Sequence, residues 1–265
     1  MLARRISTLA GILLLSATCA KPPPTFEEVP PADELFQQGL EILEGRRLMG
    51  LFPTVDYSAA IETFQAIIDN YPYSDYAVLA ELQIADAYFT DEKYEEALSY
   101  YRDFADLHPQ HEKVPYTIFR SALCHQRRIR AAIRDQTQTR DALVHLDRLL
   151  AKYPHSEYAA EAEVLWRELR TRLGVQIRSI ADFYLARGEY EAAAERYRSL
   201  LNEYPGLGLD AEALYKLGLC YEEMNRHDEA AVIFQSVVQY YGESPVAEAA
   251  AKQLARGTDW DPRAP

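Results

Sequence analysis

The residues able to do chemistry are few and scattered. The 265-residue chain carries three cysteines and six histidines. No two histidines stand at the i, i+4 spacing that puts a zinc pair on one helical face. His108 and His111, in "HPQH", flank a proline turn and read as a polar loop. "PGLGLD", from Pro205, has two glycines but lacks the spacing and the lysine of a phosphate loop. The adjacent acids Glu95–Glu96 and Glu222–Glu223 fall on outer helical faces, where solvation accounts for them. There is no nucleophile elbow. The sequence therefore predicts no catalytic residue, no metal and no cofactor. A formal net charge of −13 repels phosphate backbones and argues against a nucleic-acid partner.

Cys19 is the one cysteine placed for a modification. Two arginines among Met1–Arg5 precede an apolar run, "ISTLAGILLL", which is too short to span a bilayer comfortably. Small residues and Cys19 follow, the pattern of a bacterial secretion signal. The cysteine resembles the lipidated residue of a lipobox, with residues 1–18 as the signal peptide. Ser16-Ala17-Thr18 departs from the usual Leu-small-Gly/Ala, and ordinary cleavage after Ala20 is the alternative. Ala20, rather than Asp, behind the cysteine implies by this resemblance transfer to the outer membrane. Acyl chains at ~0.8 kcal/mol per buried CH₂ would hold the protein there. "KPPPTFEEVPPA" (Lys21–Ala32) has five prolines in twelve residues, so 19–32 reads as a stiff tether reaching about 35–40 Å.

The elements behind these residues come from a repeat. Five 16-residue segments align: Tyr57–Pro72, Tyr94–Pro109, Thr139–Pro154, Tyr190–Pro205 and His227–Gly242. Each has alanine at its fourth position (Ala60, Ala97, Ala142, Ala193, Ala230). Four residues later each has a large ring or leucine (Phe64, Tyr101, Leu146, Tyr197, Phe234), and three further on an apolar residue. That is one face of a helix, which proline stops four times and Gly242 once. Upstream lies a partner helix marked by a small residue: Ala85, Ala181 and Gly218 each have a tyrosine three residues on. The unit resembles the tetratricopeptide repeat (TPR). The predicted fold is all-α, a solenoid of about five TPR units. Cys124 and Cys220 share one register in different repeats, so they are expected apart, as buried free thiols.

Spacing also marks exceptions. Pro154 to Ala181 is 14 residues longer than its counterparts, close to four helical turns, which predicts one long helix over Ser156–Arg187. Gly174 weakens it locally. The long helix would join an N-terminal half (33–155, repeats one to three) to a C-terminal half (156–252, repeats four and five), with 253–265 as a flexible tail. Ser74 and Ser156 can cap the helices that follow "YPYSDYA" and "YPHSEYA". Insertions around "GRRLMGLFPTV" in repeat one and "RAAIRDQT" in repeat three are either functional loops or drift.

Stacked helix pairs leave a concave groove lined by the first helix of each repeat. Register assigns to it Phe36, Leu40, Leu82, Asp86, Phe89, Tyr116, Phe119 and Leu123. It would suit an extended or helical peptide with aromatic anchors. The alternative is that several of these residues simply pack between helices.

The order of "YPYSDY", "HPQH", "RDQTQTRDA", "YPHSEY" and "ARGEYEAAAER" resembles the BamD family of outer-membrane β-barrel assembly lipoproteins, over roughly residues 33–250. The resemblance implies a non-enzymatic scaffold, lipid-anchored on the periplasmic face of the outer membrane. Its C-terminal repeats would dock a BamA-like β-barrel protein through a POTRA domain, with Arg196 paired to an acid on it. Its N-terminal repeats would receive unfolded outer-membrane proteins, and other assembly lipoproteins would be partners. A periplasmic TPR adaptor for division or peptidoglycan proteins is the other reading. The weak lipobox, the repeat-one insertion and the acidic balance depart from the family's pattern.

Overall fold

The computed structural model describes residues 29–47, 53–129 and 135–258. Within them the helices α1 (Ala32–Glu44), α2 (Tyr57–Asn70), α3 (Asp75–Thr90), α4 (Tyr94–Leu107), α5 (Val114–Arg127) and α6 (Thr137–Lys152) come first. Then come α7 (Ala159–Ala186), α8 (Tyr190–Glu203), α9 (Asp210–Glu223), α10 (His227–Tyr240) and α11 (Ala247–Thr258). Each packs mainly on its neighbours in sequence, as a solenoid requires. The expected five TPR pairs are α1/α2 through α9/α10, and α7 is the elongated helix. One two-residue antiparallel ladder, β1 (Arg46–Arg47) with β2 (Pro53–Thr54), ties the repeat-one insertion. The signal, Cys19, most of the tether, and residues 48–52 and 130–134 of the insertions lie outside the described residues.

Each pair is held by a small residue on the first helix and a large one on the second. A Cβ on Gly39 would come within 2.5 Å of the Phe64 ring, and one on Gly218 within 2.5 Å of Phe234. Ala85 and Ala122 share the middle buried cluster with Tyr101 and Leu146, and Ala181 shares the C-terminal cluster with Tyr197. All five partners of these small residues are fully buried. The turn inside three pairs uses one left-handed residue: Glu92 (φ 61°), Gly188 (φ 74°) and Asn225 (φ 59°). The next N–H then donates back to the carbonyl of Tyr88, Tyr184 or Tyr221, at 2.9, 3.0 and 2.9 Å. This is the Schellman closure of a helix C-terminus.

Between pairs, the Tyr-Pro joints behave unequally. Ser74 caps α3, its Oγ accepting the Tyr76 N–H at 3.1 Å. Ser156 does not cap α7. Its hydroxyl is buried without a hydrogen-bond partner among the described residues, and the Ala159 N–H bonds to its carbonyl instead. The long helix therefore starts at Ala159 rather than at Ser156. It spans 28 residues, about 42 Å. Its first half gives Leu165 and Leu169 to the middle cluster, and its second half gives Ala181 to the C-terminal one. Gly174 sits between them for a packing reason. A Cβ there would meet Leu209 at 2.9 Å and Leu200 at 3.2 Å. The glycine lets those side chains close on the helix, which outweighs its weak helix propensity.

The expected tail is helical as far as Thr258. Ala247 and Ala250 are buried and Leu254 packs on the C-terminal cluster, so α11 covers the apolar end that α9 and α10 would expose. Cys124 and Cys220 are free and buried. They belong to different clusters, and burial pushes their thiols up to about 12 and about 11.

Two outcomes follow from this packing. Gly218→Ala gains helix propensity worth ~1 kcal/mol but overpacks against Phe234, at a typical cost of ~1–3 kcal/mol. Chemical denaturation is expected to show a net loss, restored by adding Phe234→Leu; a stabilised single variant would contradict the close crossing. The second concerns pH. His145 stacks on His125 with ring centroids 5.4 Å apart, and burial, then the neighbouring His125, lowers its pKa to about 4. An unfolded histidine takes its proton near 6.5. Between those values the unfolded chain binds more protons, so stability falls as pH drops from about 6.5 to about 4. Melting temperatures across that window should fall more steeply for the native chain than for His145→Phe, and parallel curves would exclude this source.

Candidate functional site

The first helices of repeats two and three meet around Asp86. The same Oδ1 accepts the Tyr101 hydroxyl at 2.5 Å and the Tyr116 hydroxyl at 2.6 Å. Arg120 Nε donates to the Tyr101 oxygen at 2.9 Å, and its Nη2 lies 3.5 Å from Asp86. The guanidinium lies over the Phe89 ring, 3.7 Å from its centroid. Burial first, then the Asp86 charge, raises the pKa of both phenols, so they stay protonated and donate. One carboxylate thus satisfies two buried hydroxyls and a cation. The hub is closed on itself and offers neither a nucleophile nor a proton to a substrate.

Around it the predicted groove residues divide. Phe36, Leu40, Phe89, Tyr116 and Leu123 are half-buried, with side-chain surface left for contact. Leu82 and Phe119 are 6% and 4% exposed and belong to the middle core. For these two the packing alternative holds. Both join the middle buried cluster, and Phe119 stacks on Tyr158 with ring centroids 5.8 Å apart. Phe36 stands at the groove's N-terminal end, 5.5 Å from both Phe64 and Tyr76. His108 and His111 serve their joint. His108 Nε2 bonds Glu81 at 2.8 Å, His111 Nδ1 accepts the Lys113 N–H at 3.1 Å, and both rings touch Phe104. Among the described residues, no group of three or more His, Cys, Asp or Glu could hold a metal ion.

The C-terminal half repeats the hub with different surroundings. Tyr197 donates to Asp182 at 2.5 Å, from 15 residues on, as Tyr101 does to Asp86. Lys216, 34 residues after Asp182, bonds it at 2.9 Å, standing where Arg120 stands relative to Asp86. Burial opposes ionisation of Asp182, but the hydrogen bonds from Tyr197 and Lys216 outweigh it and hold the carboxyl below its usual range. The positions that carry Leu82 and Tyr116 in the first hub carry Arg178 and Glu212 in the second, paired at 2.9 Å. Glu212 also pairs with Lys216 at 2.7 Å. The surroundings of the first hub are thus aromatic and apolar, and those of the second are charged. Arg120 and Lys216 escaped the sequence reading. Their signal is an acid and a base one 34-residue repeat apart in the same register.

The family model YfiO, an outer membrane lipoprotein, matches residues 34–232. The chain belongs to this YfiO family. Among its relatives, the outer membrane protein assembly factor BamD of Vibrio cholerae is 29% identical over 234 residues, covering 81% of this chain and 93% of that one. BamD of Rickettsia prowazekii is 26% identical over 239 residues, covering 90% and 91%. BamD of Neisseria gonorrhoeae is 28% identical over 186 residues, covering 66% and 70%. The motif order that resembles BamD is matched by similarity along most of the chain. The span shared with the YfiO family runs from α1 into α10, so it contains both hubs, all eight groove positions and Arg196. Arg196 is exposed on α8. No described helix is long and apolar enough to cross a membrane.

If each hub holds its repeats together, removing one phenol should be felt. Tyr101→Phe and Tyr197→Phe are each expected to cost about 1.5–3 kcal/mol in urea denaturation, the range for losing a hydrogen bond to a charged group. Asp86→Ala should cost more than Tyr101→Phe, because it strands Arg120 and two hydroxyls together. Equal or negligible losses would mean the hub is not a cooperative unit.

Proposed function

We propose that this YfiO-family chain works as its BamD relatives are named, as a non-enzymatic scaffold for assembling proteins into the outer membrane. The observation that carries this reading is the pair of hubs built alike and surrounded differently. The aromatic N-terminal groove suits apolar, aromatic-bearing segments of unfolded β-barrel proteins. The charged C-terminal groove and the exposed Arg196 suit a folded partner recognised by complementary charge, a BamA-like β-barrel protein with POTRA domains. Acylation of Cys19 would hold the scaffold on the periplasmic face, beside other assembly lipoproteins. The long α7 would keep substrate and partner at a set spacing.

Capture of the full-length protein from mild detergent tests the whole reading. It is expected to bring down a POTRA-bearing β-barrel protein; recovery of cell-wall enzymes alone would favour a division or peptidoglycan adaptor. Arg196→Glu should weaken that capture about tenfold or more, since like charges juxtaposed across an interface cost on the order of a few kcal/mol. Undiminished capture would remove Arg196 from the interface. Cys19→Ala should release the protein from membranes, and firm retention would rule out lipidation at that site.

A further inference from the structure

The extra turns of α7 leave part of repeat four bare. In each first helix, the residues one before and two after the small crossing residue lie on one stripe. In repeats two, three and five they are Ile84 and Ala87, Ser121 and Cys124, and Leu217 and Cys220, none more than 3% exposed. What covers them is the second helix of the preceding repeat. Ile84 shares a buried cluster with Phe64 and Ile67 of α2, Cys124 with Phe104 of α4, and Leu217 with Leu200 of α8. In repeat four the same positions are Ile180 and Phe183, which are 37% and 58% exposed. The preceding second helix, α6, shares its cluster with Leu165 and Leu169, in the first half of α7. The second half runs on beyond it.

Repeat one supplies the comparison. No helix precedes α1 among the described residues, and the matching positions there are Gln38 and Glu41, both exposed and polar. Where solvent is the neighbour, the repeat carries polar side chains. An isoleucine and a phenylalanine one turn apart at the matching places of repeat four suit an apolar neighbour instead. Arginine borders this pair. Arg187, one turn beyond Phe183, holds its guanidinium 5.4 Å from the ring centroid and pairs with Glu189 at 2.9 Å. Arg196 on α8 is exposed and has the register of Tyr100 on α4, and Tyr100 packs against the cluster of the preceding repeat. The bare face is thus apolar at its centre and cationic at its edge, in a chain of net charge −13. We propose that it seats an amphipathic helix of a partner, with that helix's apolar side on Ile180 and Phe183 and its acidic side chains toward Arg187 and Arg196. The partner helix takes the place that α2, α4 and α8 take on the repeats that follow them. That the partner belongs to outer-membrane assembly rests on the scaffold reading above, whereas the docking does not.

Both side chains are exposed, so replacing them should leave the fold intact. A benzophenone amino acid at position 183 of the full-length protein, irradiated in native membranes and digested, should give adducts on the apolar side of one partner helix that carries Asp or Glu within about two turns. Adducts confined to lipid, to another segment of this chain, to a second copy or to an extended segment would overturn the docking, as would no adduct. A synthetic peptide copied from the adduct-bearing helix is the second probe. Phe183→Ser should weaken its binding about tenfold or more, with the melting temperature unchanged. Lost stability with unchanged binding would make Phe183 part of the fold's own packing and overturn the proposal. Arg187→Glu should also weaken binding, and changing the facing acid of the peptide to lysine should restore it; failure of that rescue would overturn the charge pairing. If the helix belongs to a POTRA-bearing β-barrel protein, the docking and the scaffold reading both stand. If it belongs to a cell-wall protein, the docking stands and the scaffold reading falls. Capture of the POTRA-bearing protein without an adduct at position 183 sinks the docking alone.

Discussion

Everything in this molecule depends on how closely two helices can cross. A TPR helix cannot bury its apolar face alone, so each needs a partner near enough to exclude water. The approach is set by one small residue opposite one large one. The pairing follows a rule that the structure makes visible. Where the small residue is glycine, at Gly39 and Gly218, the partner is phenylalanine, whose ring fills the space an added Cβ would need. Where it is alanine followed by aspartate, at Ala85-Asp86 and Ala181-Asp182, the partner is tyrosine, and its hydroxyl reaches that aspartate. Ala122, followed by Leu123, faces a repeat whose large residue is Leu146. Packing and polarity are thus selected together, because the ring that fills the crossing also carries the donor for the adjacent carboxylate.

The hubs extend this local rule across repeats. A phenol and an acid join the two helices of one repeat, and a base from the next repeat closes the set. The chemistry is expensive to disturb, because burial disfavours every charge unless all its partners are present. It also leaves the groove walls free to vary. Replacing Leu82 and Tyr116 by Arg178 and Glu212 at matching positions removes one phenol from the hub and adds an ion pair, yet keeps the acid–phenol pair and the base one repeat on. One repeated design can in this way carry two unlike surfaces.

The fold was legible in the sequence to the extent that it obeys periodicity. The alanine, the large residue four positions on and the terminating proline or glycine located the second helix of each repeat. The 14-residue excess located α7. Boundaries were less legible, because they depend on single hydrogen bonds. Ser74 and Ser156 sit in nearly identical heptapeptides, yet only Ser74 caps its helix. The start of α11 hides behind a Ser-Pro turn, and its apolar face is alanine, which hardly registers as a pattern. At the candidate site, register named the groove positions but could not separate surface from core. Leu82 and Phe119 share the pattern of Phe89 and Leu123 but are buried in the middle core, Phe119 stacked on Tyr158. The bases of the hubs were missed because their meaning lies in a partner 34 residues away, outside any local window.

Helix α7 has a consequence for how the molecule comes apart. In a plain repeat array each unit touches only its neighbours, so unfolding can begin at either end and stop at any joint. Here one uninterrupted rod contributes side chains to two separate cores. Its backbone hydrogen bonds cannot be broken in the middle without loosening both. The ends of the solenoid are free to fray one pair at a time, while the centre has to open as a single block. Amide protons along α7 on either side of Gly174 should therefore exchange as one cooperative group, despite belonging to different halves of the protein.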